Sequence, residues 1–275
     1  MPSPAADAAV CRGNDMDRRA TALGRAIAAE WSKTISLRVL PATMLGAIVA
    51  AALLGAVYAF GTVTDPMTGK ITATSPTAAE LVDAVLGAMT FLQVVAVLIG
   101  IFVIIPDVAS PVIRTTLLAV PRRGILLGAK LIIASAAVAL GATAAMLGGL
   151  CGAGIVGSIA FDNGPPLGSF VTEEILQRVA GAWLYLALIG MFAFGSALAL
   201  RQLVPALIGL LSLVLILSPL LSAAPGVAKW LPDTAGSQLY LHDASAHHPF
   251  GGLVLAAWAL VAIATGGLLF IRRDA

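Results

Sequence analysis

The sequence predicts an all-α protein that crosses a membrane six times. Its 275 residues are 59% hydrophobic and only 11% charged, whereas soluble domains carry about a quarter charged residues. Long apolar runs follow one another along the chain, and basic residues cluster in alternate connections between them. The basic residues are not interleaved with aromatic side chains on one face, so nothing indicates nucleic-acid binding.

Six apolar runs have the length of membrane spans, because about 20 apolar residues cross about 30 Å of hydrocarbon. The predicted spans are residues 39–61, 84–105, 125–157, 176–200, 203–222 and 251–271. The third run is too long to cross perpendicularly, so we expect it to tilt or to extend into water at one end.

The spans define the expected organisation of the chain. Residues 1–16 form a flexible cytoplasmic tail, 17–38 an interfacial helix, 39–271 the transmembrane domain and 272–275 a C-terminal tail. The first residues lack the apolar core of a signal peptide, so we expect the first span to be retained.

Basic residues indicate the orientation. One side of the six predicted crossings carries Arg12, Arg18, Arg19, Arg25, Lys33, Arg38, Arg114, Arg122, Arg123, Lys130, Arg201, Arg272 and Arg273. The opposite side carries only Lys70, Arg178 and Lys229, together with most of the acidic residues. Because short cytoplasmic loops carry the excess of Lys and Arg, we expect both termini in the cytoplasm and the chain in the cell membrane.

An amphipathic segment precedes the first span. Its apolar side chains recur at every fourth residue and form one helical stripe: Leu23, Ile27, Trp31 and Ile35. Arg18, Arg25 and Lys33 fall away from that stripe. The pattern predicts a helix lying flat on the inner leaflet; the alternative is a cytoplasmic helix packed against another part of the protein.

The connection between spans two and three is basic and bounded by prolines. Pro111 suits a helix start and Pro121 ends it. The turns between them place Ile113, Leu117 and Val120 on one side and Arg114, Thr115 and Thr116 elsewhere. This pattern predicts a short amphipathic helix that docks into a groove of a partner. Alternatively, Arg122, Arg123 and Lys130 only fix the topology and contact lipid phosphates.

Three stretches resemble a known family. "EWSKTISLR" before span one, "IRTTLLAVPRRGILLGAK" after span two and "KWLPDTAGSQL" before the last span are similar to permease subunits of ABC-2 type transporters, especially small six-span exporters of the actinobacterial type. The resemblance covers most of the chain from Ala20 onward. It departs where Asp107, followed by Val108, stands at the usual acidic position, and where Pro111 and Val112 replace small, flexible residues.

The resemblance implies roles for two of these segments. The elbow helix, which is the family's counterpart of the interfacial helix, would include Leu23, Ile27, Glu30, Trp31, Lys33, Ile35 and Arg38. The coupling segment would contact the ATPase through Asp107, Ile113, Arg114, Thr115, Thr116, Leu117, Val120, Arg122 and Arg123.

The resemblance also implies a division of labour. Two copies, or this chain and a paralogue, would form the pathway within lipid, while a separate subunit binds ATP and Mg. In agreement, the sequence has no GxxxxGK[ST] phosphate loop, so we expect neither enzymatic activity nor a cofactor in this chain. The nearly uncharged spans suit a hydrophobic or amphiphilic cargo such as a drug, lipid or peptide.

Two polar residues of span two are candidate pathway residues. Gln93 lies near mid-membrane and Thr90 lies one turn before it. A buried amide needs partners, so Gln93 contacts either cargo or a neighbouring helix.

Two other functional classes remain as alternatives. Glu173 and Glu174 in "EEILQR" match the EExxxR pattern of intramembrane CAAX-type proteases, although such acidic residues also suit a helix start, where Glu174 would pair with Arg178. A stand-alone secondary carrier should show inverted repeats and interrupted spans, and we find neither in the sequence.

Three further features allow more than one interpretation. The external loop with His242, Asp243, His247 and His248 could coordinate a metal, but we expect a solvated loop and no metal site. Gly148 and Gly152 form a GxxxG pair that serves either packing within the bundle or a dimer seam. The segment 223–250 either folds back as short helices, as the resemblance implies, or forms an exposed loop.

Overall fold

The structure, a computed structural model, describes residues 21, 24–34, 39–64, 75–108, 123–160, 165–221, 225–241 and 250–273. Nearly all of these residues are helical, and no strand occurs among them. The all-α prediction is therefore confirmed for the described part of the chain.

The helices follow in the predicted order. Residues 24–34 form α1. The other helices are α2 (Val39–Val63), α3 (Ala78–Gly87), α4 (Met89–Val108), α5 (Arg123–Ala160), α6 (Glu173–Leu200), α7 (Leu203–Leu211), α8 (Ser218–Leu221), α9 (Pro225–Ala228), α10 (Pro232–Ser237) and α11 (Gly251–Arg273). A 3₁₀ turn, Leu167–Phe170, precedes α6, and a π-helical segment, Ser212–Leu217, joins α7 to α8.

Five helical stretches in the described residues are long and apolar enough to cross a membrane: Leu40–Val63, Gly124–Ala160, Glu173–Leu200, Leu203–Leu221 and Gly251–Arg272. A sixth crossing results if α3 and α4, which are bent by 57° at their junction, together make one span. At 38 residues, α5 is about 57 Å long at 1.5 Å per residue, which agrees with the excess length expected for the third run.

The contacts between helices show their relative directions. Met44 lies against Gly141, Ile48 against Gly148 and Ala52 against Gly152, so α2 and α5 are parallel. Trp183 contacts Thr143 and Met191 contacts Ser135, so α5 and α6 are antiparallel.

Two further helices run in the direction of α6. Gln93 and Gly100 of α4 lie against Tyr185 and Gly190 of α6 in that order. Ala262 and Phe270 of α11 lie in the same way against Gly195 and Arg201. These directions bring Arg123, Arg201 and Arg272 to one end of the bundle, here called the basic end. They bring Glu80, Asp83, Glu173 and Glu174 to the opposite, acidic end.

The second predicted span is interrupted. Thr77 and Glu80 form a capping box at the start of α3, in which each side chain accepts a hydrogen bond from the other residue's backbone N–H. The helix ends at Gly87, and α4 begins at Met89 in a new direction. The expectation that no span is interrupted is therefore wrong. The apolar run continues through the break, so the sequence pattern does not reveal it.

The fifth span is irregular for a reason visible in the sequence. The π-helical segment Ser212–Leu217 ends two residues before Pro219. A proline removes one backbone N–H and crowds the carbonyl group four residues earlier, and a π-helical turn is a common way to relieve this crowding inside a helix.

Small residues let α2 and α5 approach closely. A Cβ atom added at Gly152 would overlap with the carbonyl group of Ala52, and one added at Gly148 would lie 2.7 Å from the carbonyl oxygen of Ile48. The GxxxG pair therefore packs within the bundle, as the intramolecular alternative predicts.

We expect Gly152→Ala to destabilise the protein by about 1–3 kcal/mol, because the added methyl group meets backbone atoms that cannot rotate away. Gly154→Ala is the matched control: it lies on the same helix, its Cβ atom would have no neighbour within 4 Å, and alanine is the better helix former. Thermal unfolding in detergent compares the two variants. Equal midpoints for both would contradict the assigned packing.

Candidate functional site

Many of the candidate site residues lie outside the described residues. These are Leu23, Ile35 and Arg38 of the elbow helix, Ile113, Arg114, Thr115, Thr116, Leu117, Val120 and Arg122 of the coupling segment, and His242, Asp243, His247 and His248 of the last loop. Asp107 lies in the last turn of α4, and Arg123 begins α5. The predictions for these residues remain predictions.

The helix α1 packs against the bundle through one stripe of residues. Ala26, Glu30 and Thr34, spaced four residues apart, are buried. Ile27 is half-buried and Trp31 is 43% exposed. These two residues of the predicted apolar stripe therefore lie beside the buried face of α1, and Trp31 points away from the bundle. This arrangement suits a helix that presents Trp31 to the headgroup layer while the adjacent stripe contacts protein.

Glu30 forms an ion pair with Lys130. The Lys130 Nζ atom lies 2.9 Å from a carboxylate oxygen of Glu30, and the two side chains are only 4% and 9% exposed. Val103 and Ile104 of α4, Ile133 of α5 and Phe194 of α6 surround the pair. The ion pair therefore joins α1 to α5 near the basic end, and α4 and α6 contribute its apolar surroundings.

The pair connects two of the quoted motifs. Glu30 opens "EWSKTISLR", and Lys130 closes "IRTTLLAVPRRGILLGAK". The sequence alone assigned Lys130 only a topological role, because a lysine near the end of a span ordinarily faces lipid phosphates. A separation of 100 residues left no local signal for the pairing.

A second polar cluster lies deeper in the bundle, on three separate elements. Gln93 of α4 and Tyr185 of α6 are both completely buried. The Tyr185 hydroxyl group is within hydrogen-bonding distance of the Gln93 side-chain carbonyl and lies 2.5 Å from a carboxylate oxygen of Asp233 on α10. The Gln93 amide group donates to the Thr90 carbonyl oxygen over 3.1 Å. Gln93 thus bonds to neighbouring protein groups, one of its two predicted roles.

Ser218 borders this cluster. The residue is fully buried, and its hydroxyl group lies close to the Asp233 carboxyl group. It forms no hydrogen bond of ordinary geometry within the described part of the chain. The other candidate pathway residue, Thr90, is exposed and contributes only its backbone carbonyl group to the cluster.

Asp233 reaches the cluster because residues 225–241, the folded-back segment, pack against the bundle. Leu231, Ala235 and Tyr240 are buried. Gly181 of α6 lets the backbone of Leu239 approach closely, because a Cβ atom at position 181 would overlap with the Leu239 carbonyl group. An exposed loop is therefore excluded for these residues.

The surroundings affect the ionisation of the folded-back segment. Burial raises the pKa of the Asp233 carboxyl group, and its hydrogen bond with Tyr185 opposes that effect. Burial, together with the nearby Asp233 carboxyl group, also raises the pKa of Tyr240. The Tyr240 ring packs edge-on against Tyr185, with 5.3 Å between ring centroids.

The protease alternative rests on two residues at the acidic end. Glu173 and Glu174 are exposed in the first turn of α6, and Glu173 accepts a hydrogen bond from Gln177 over 3.3 Å. Arg178 pairs with Asp83 of α3 and not with Glu174. Among the described residues, no group of three or more His, Cys, Asp or Glu side chains is placed to hold a metal ion.

Comparison with protein-family models and with curated protein sequences gives no match for this chain.

We expect Lys130→Met to lower the free energy of unfolding by about 3–5 kcal/mol, because it leaves Glu30 buried without its cation. Adding Glu30→Gln should recover much of that loss, since neither charge is then buried. Lys229→Met serves as the control, because this lysine is exposed and surface substitutions usually change stability by no more than about 0.5 kcal/mol. Thermal unfolding of the purified chain compares these variants with the unaltered chain. A double variant that is no more stable than Lys130→Met would contradict a direct ion pair.

Proposed function

We propose that the chain is the membrane-spanning permease subunit of an ATP-driven ABC-2 type exporter and is coupled to a separate ATPase subunit. In this proposal the chain crosses the membrane six times, with α3 and α4 forming one bent span. The basic end faces the cytoplasm, α1 is the elbow helix, and the segment between α4 and α5 contains the coupling helix. A second copy or a paralogue completes the pathway.

The Glu30–Lys130 ion pair is the observation that carries the proposal. It links the segment that resembles an elbow helix to the end of the segment that resembles a coupling region. Removing one partner of a buried ion pair is strongly destabilising, so we expect α1 and the start of α5 to move together. A movement of the ATPase transmitted to the segment between α4 and α5 would then displace α1 and α5 together.

An apolar groove agrees with the proposed hydrophobic or amphiphilic cargo. It has a volume of about 520 Å³ and lies beside the folded-back segment, between Trp230, Phe250, Leu253 and Trp258. A mostly apolar concave surface suits an acyl chain or a fused aromatic ring system.

A proton-driven secondary carrier is the second candidate function. Two observations favour it: the interrupted span at α3 and α4, and the Asp233 carboxyl group facing polar side chains of two spans. Discontinuous helices and ionisable residues inside the bundle are typical of such carriers. The two candidates differ in what drives them, ATP hydrolysis by a partner or an ion gradient.

We expect Arg114→Glu to uncouple ATP hydrolysis from transport, because it reverses a charge in the segment that would dock on the ATPase. Insertion and folding should remain normal. Arg272→Glu is the matched control, as it reverses a basic residue at the same end but outside that segment. The readout is the ratio of cargo exported to ATP hydrolysed in vesicles that contain both subunits.

If Arg114→Glu leaves the ratio of exported cargo to hydrolysed ATP unchanged, Arg114 does not take part in docking on the ATPase. Transport by the chain alone, driven by a proton gradient and insensitive to ATP, would favour the carrier.

A further inference from the structure

The side chains around Tyr185 contain more acceptors than its hydroxyl group can satisfy. A tyrosine hydroxyl group carries one proton, but it faces both the Gln93 carbonyl oxygen and an Asp233 carboxyl oxygen. Rotating the Gln93 amide group would bring its oxygen against the Thr90 carbonyl oxygen, which now accepts from the amide nitrogen. The Gln93 oxygen therefore points to Tyr185 and needs a donor there.

Counting protons gives two alternatives. If Asp233 is ionised, the Tyr185 proton can bond to either the carboxylate or the Gln93 carbonyl group. The acceptor that does not receive this proton then faces a lone pair of the Tyr185 oxygen. If Asp233 is protonated, it donates to Tyr185, Tyr185 donates to Gln93, and Gln93 donates to Thr90. The Ser218 hydroxyl group can donate to ionised Asp233, but it cannot supply a proton between Tyr185 and either of its two acceptors. Only the protonated form of Asp233 gives both oxygen contacts of Tyr185 a proton, and a buried contact between two lone pairs is costly.

We propose that Asp233 is a proton-binding site whose protonated form locks the folded-back segment onto α4 and α6. Ionisation breaks the chain of hydrogen bonds and loosens the segment. The proton is exchanged with the acidic end of the bundle, where α10 lies beside the start of α11 and Asp233 is only partly buried. This inference does not depend on which energy source drives the protein.

Within the described ranges, no basic side chain pairs with Asp233. The titratable side chains that face it there are Tyr185 of α6 and Tyr240 of the folded-back segment. The only basic residues of α11 lie at its opposite end, α4 carries a single ionisable residue, Asp107, in its last turn, and Arg178 of α6 pairs with Asp83. Lys229 is exposed and lies over the Trp230 ring.

Infrared titration of the full chain in lipid nanodiscs tests the site directly. We expect the carbonyl stretch of a protonated carboxylic acid at pH values above about 4, the ordinary aspartate range, and we expect Asp233→Asn to remove it. Asp83→Asn, which replaces the exposed and ion-paired carboxylate of α3, should leave the band intact. A band that is absent, or that survives in the Asp233 variant, overturns the proposal.

Gln93→Leu distinguishes proton binding from a merely structural contact. This change removes the competing acceptor, so the Tyr185 proton is free to bond to ionised Asp233. The band should then titrate at lower pH than in the unaltered chain. An unchanged midpoint overturns the proton-counting argument, even if the band belongs to Asp233.

Tryptic cleavage after Lys229 reports the position of the folded-back segment, because Lys229 is the only Lys or Arg between Arg201 and Arg272. The raised pKa of Asp233 means that its stabilising effect is present at low pH and is lost as the pH rises through the folded-state value. The cleavage rate of the unaltered chain relative to Asp233→Asn should therefore rise with pH. A constant ratio overturns the locking role.

Discussion

A polar group inside an apolar helical bundle must find its partner within the protein, because no water is there to hydrogen-bond it. This constraint accounts for the two polar contacts on which the bundle's ends depend. Near the basic end, Glu30 and Lys130 pair and hold α1 on the bundle. Towards the acidic end, Gln93, Tyr185 and Asp233 bond to one another and hold the folded-back segment. Each contact joins a short peripheral helix to spans that are otherwise apolar. The places where such a protein can change shape are therefore the places where its few polar side chains meet.

The features visible in the sequence were those set by local pattern. Long apolar runs predicted the order of the helices. The GxxxG pair marked a stretch of α5 that can approach another helix closely, but the sequence did not show that this helix is α2. The break between α3 and α4 is not visible in the sequence, since the apolar run passes through it. Gln93 was singled out because an amide in a span is unusual. Tyr185 and Asp233 were missed, because a tyrosine in an apolar helix and an aspartate before a span carry no signal until the fold places them together.

The proposed exporter and the proposed proton site are separate statements about opposite ends of one bundle. At the basic end, an ion pair fixes the relative position of two segments that resemble the family's contacts with an ATPase. At the acidic end, protonation of Asp233 would keep the folded-back segment packed against α4 and α6. If both hold, the nucleotide state of a partner would act on one end and the external pH on the other. An ion-driven carrier would instead take its free energy from proton binding at the acidic end. The presence or absence of an ATPase subunit at the basic end therefore distinguishes the exporter from the carrier.

Purification of the chain from its native membrane, with cross-linking of lysines and mass identification of whatever is bound, tests the central claim most directly. The account predicts an ATPase subunit that carries a phosphate loop and is cross-linked to the basic end through Lys33 of α1. The contradicting result is a chain that purifies with no second protein and, once reconstituted alone, transports its cargo at the full native rate.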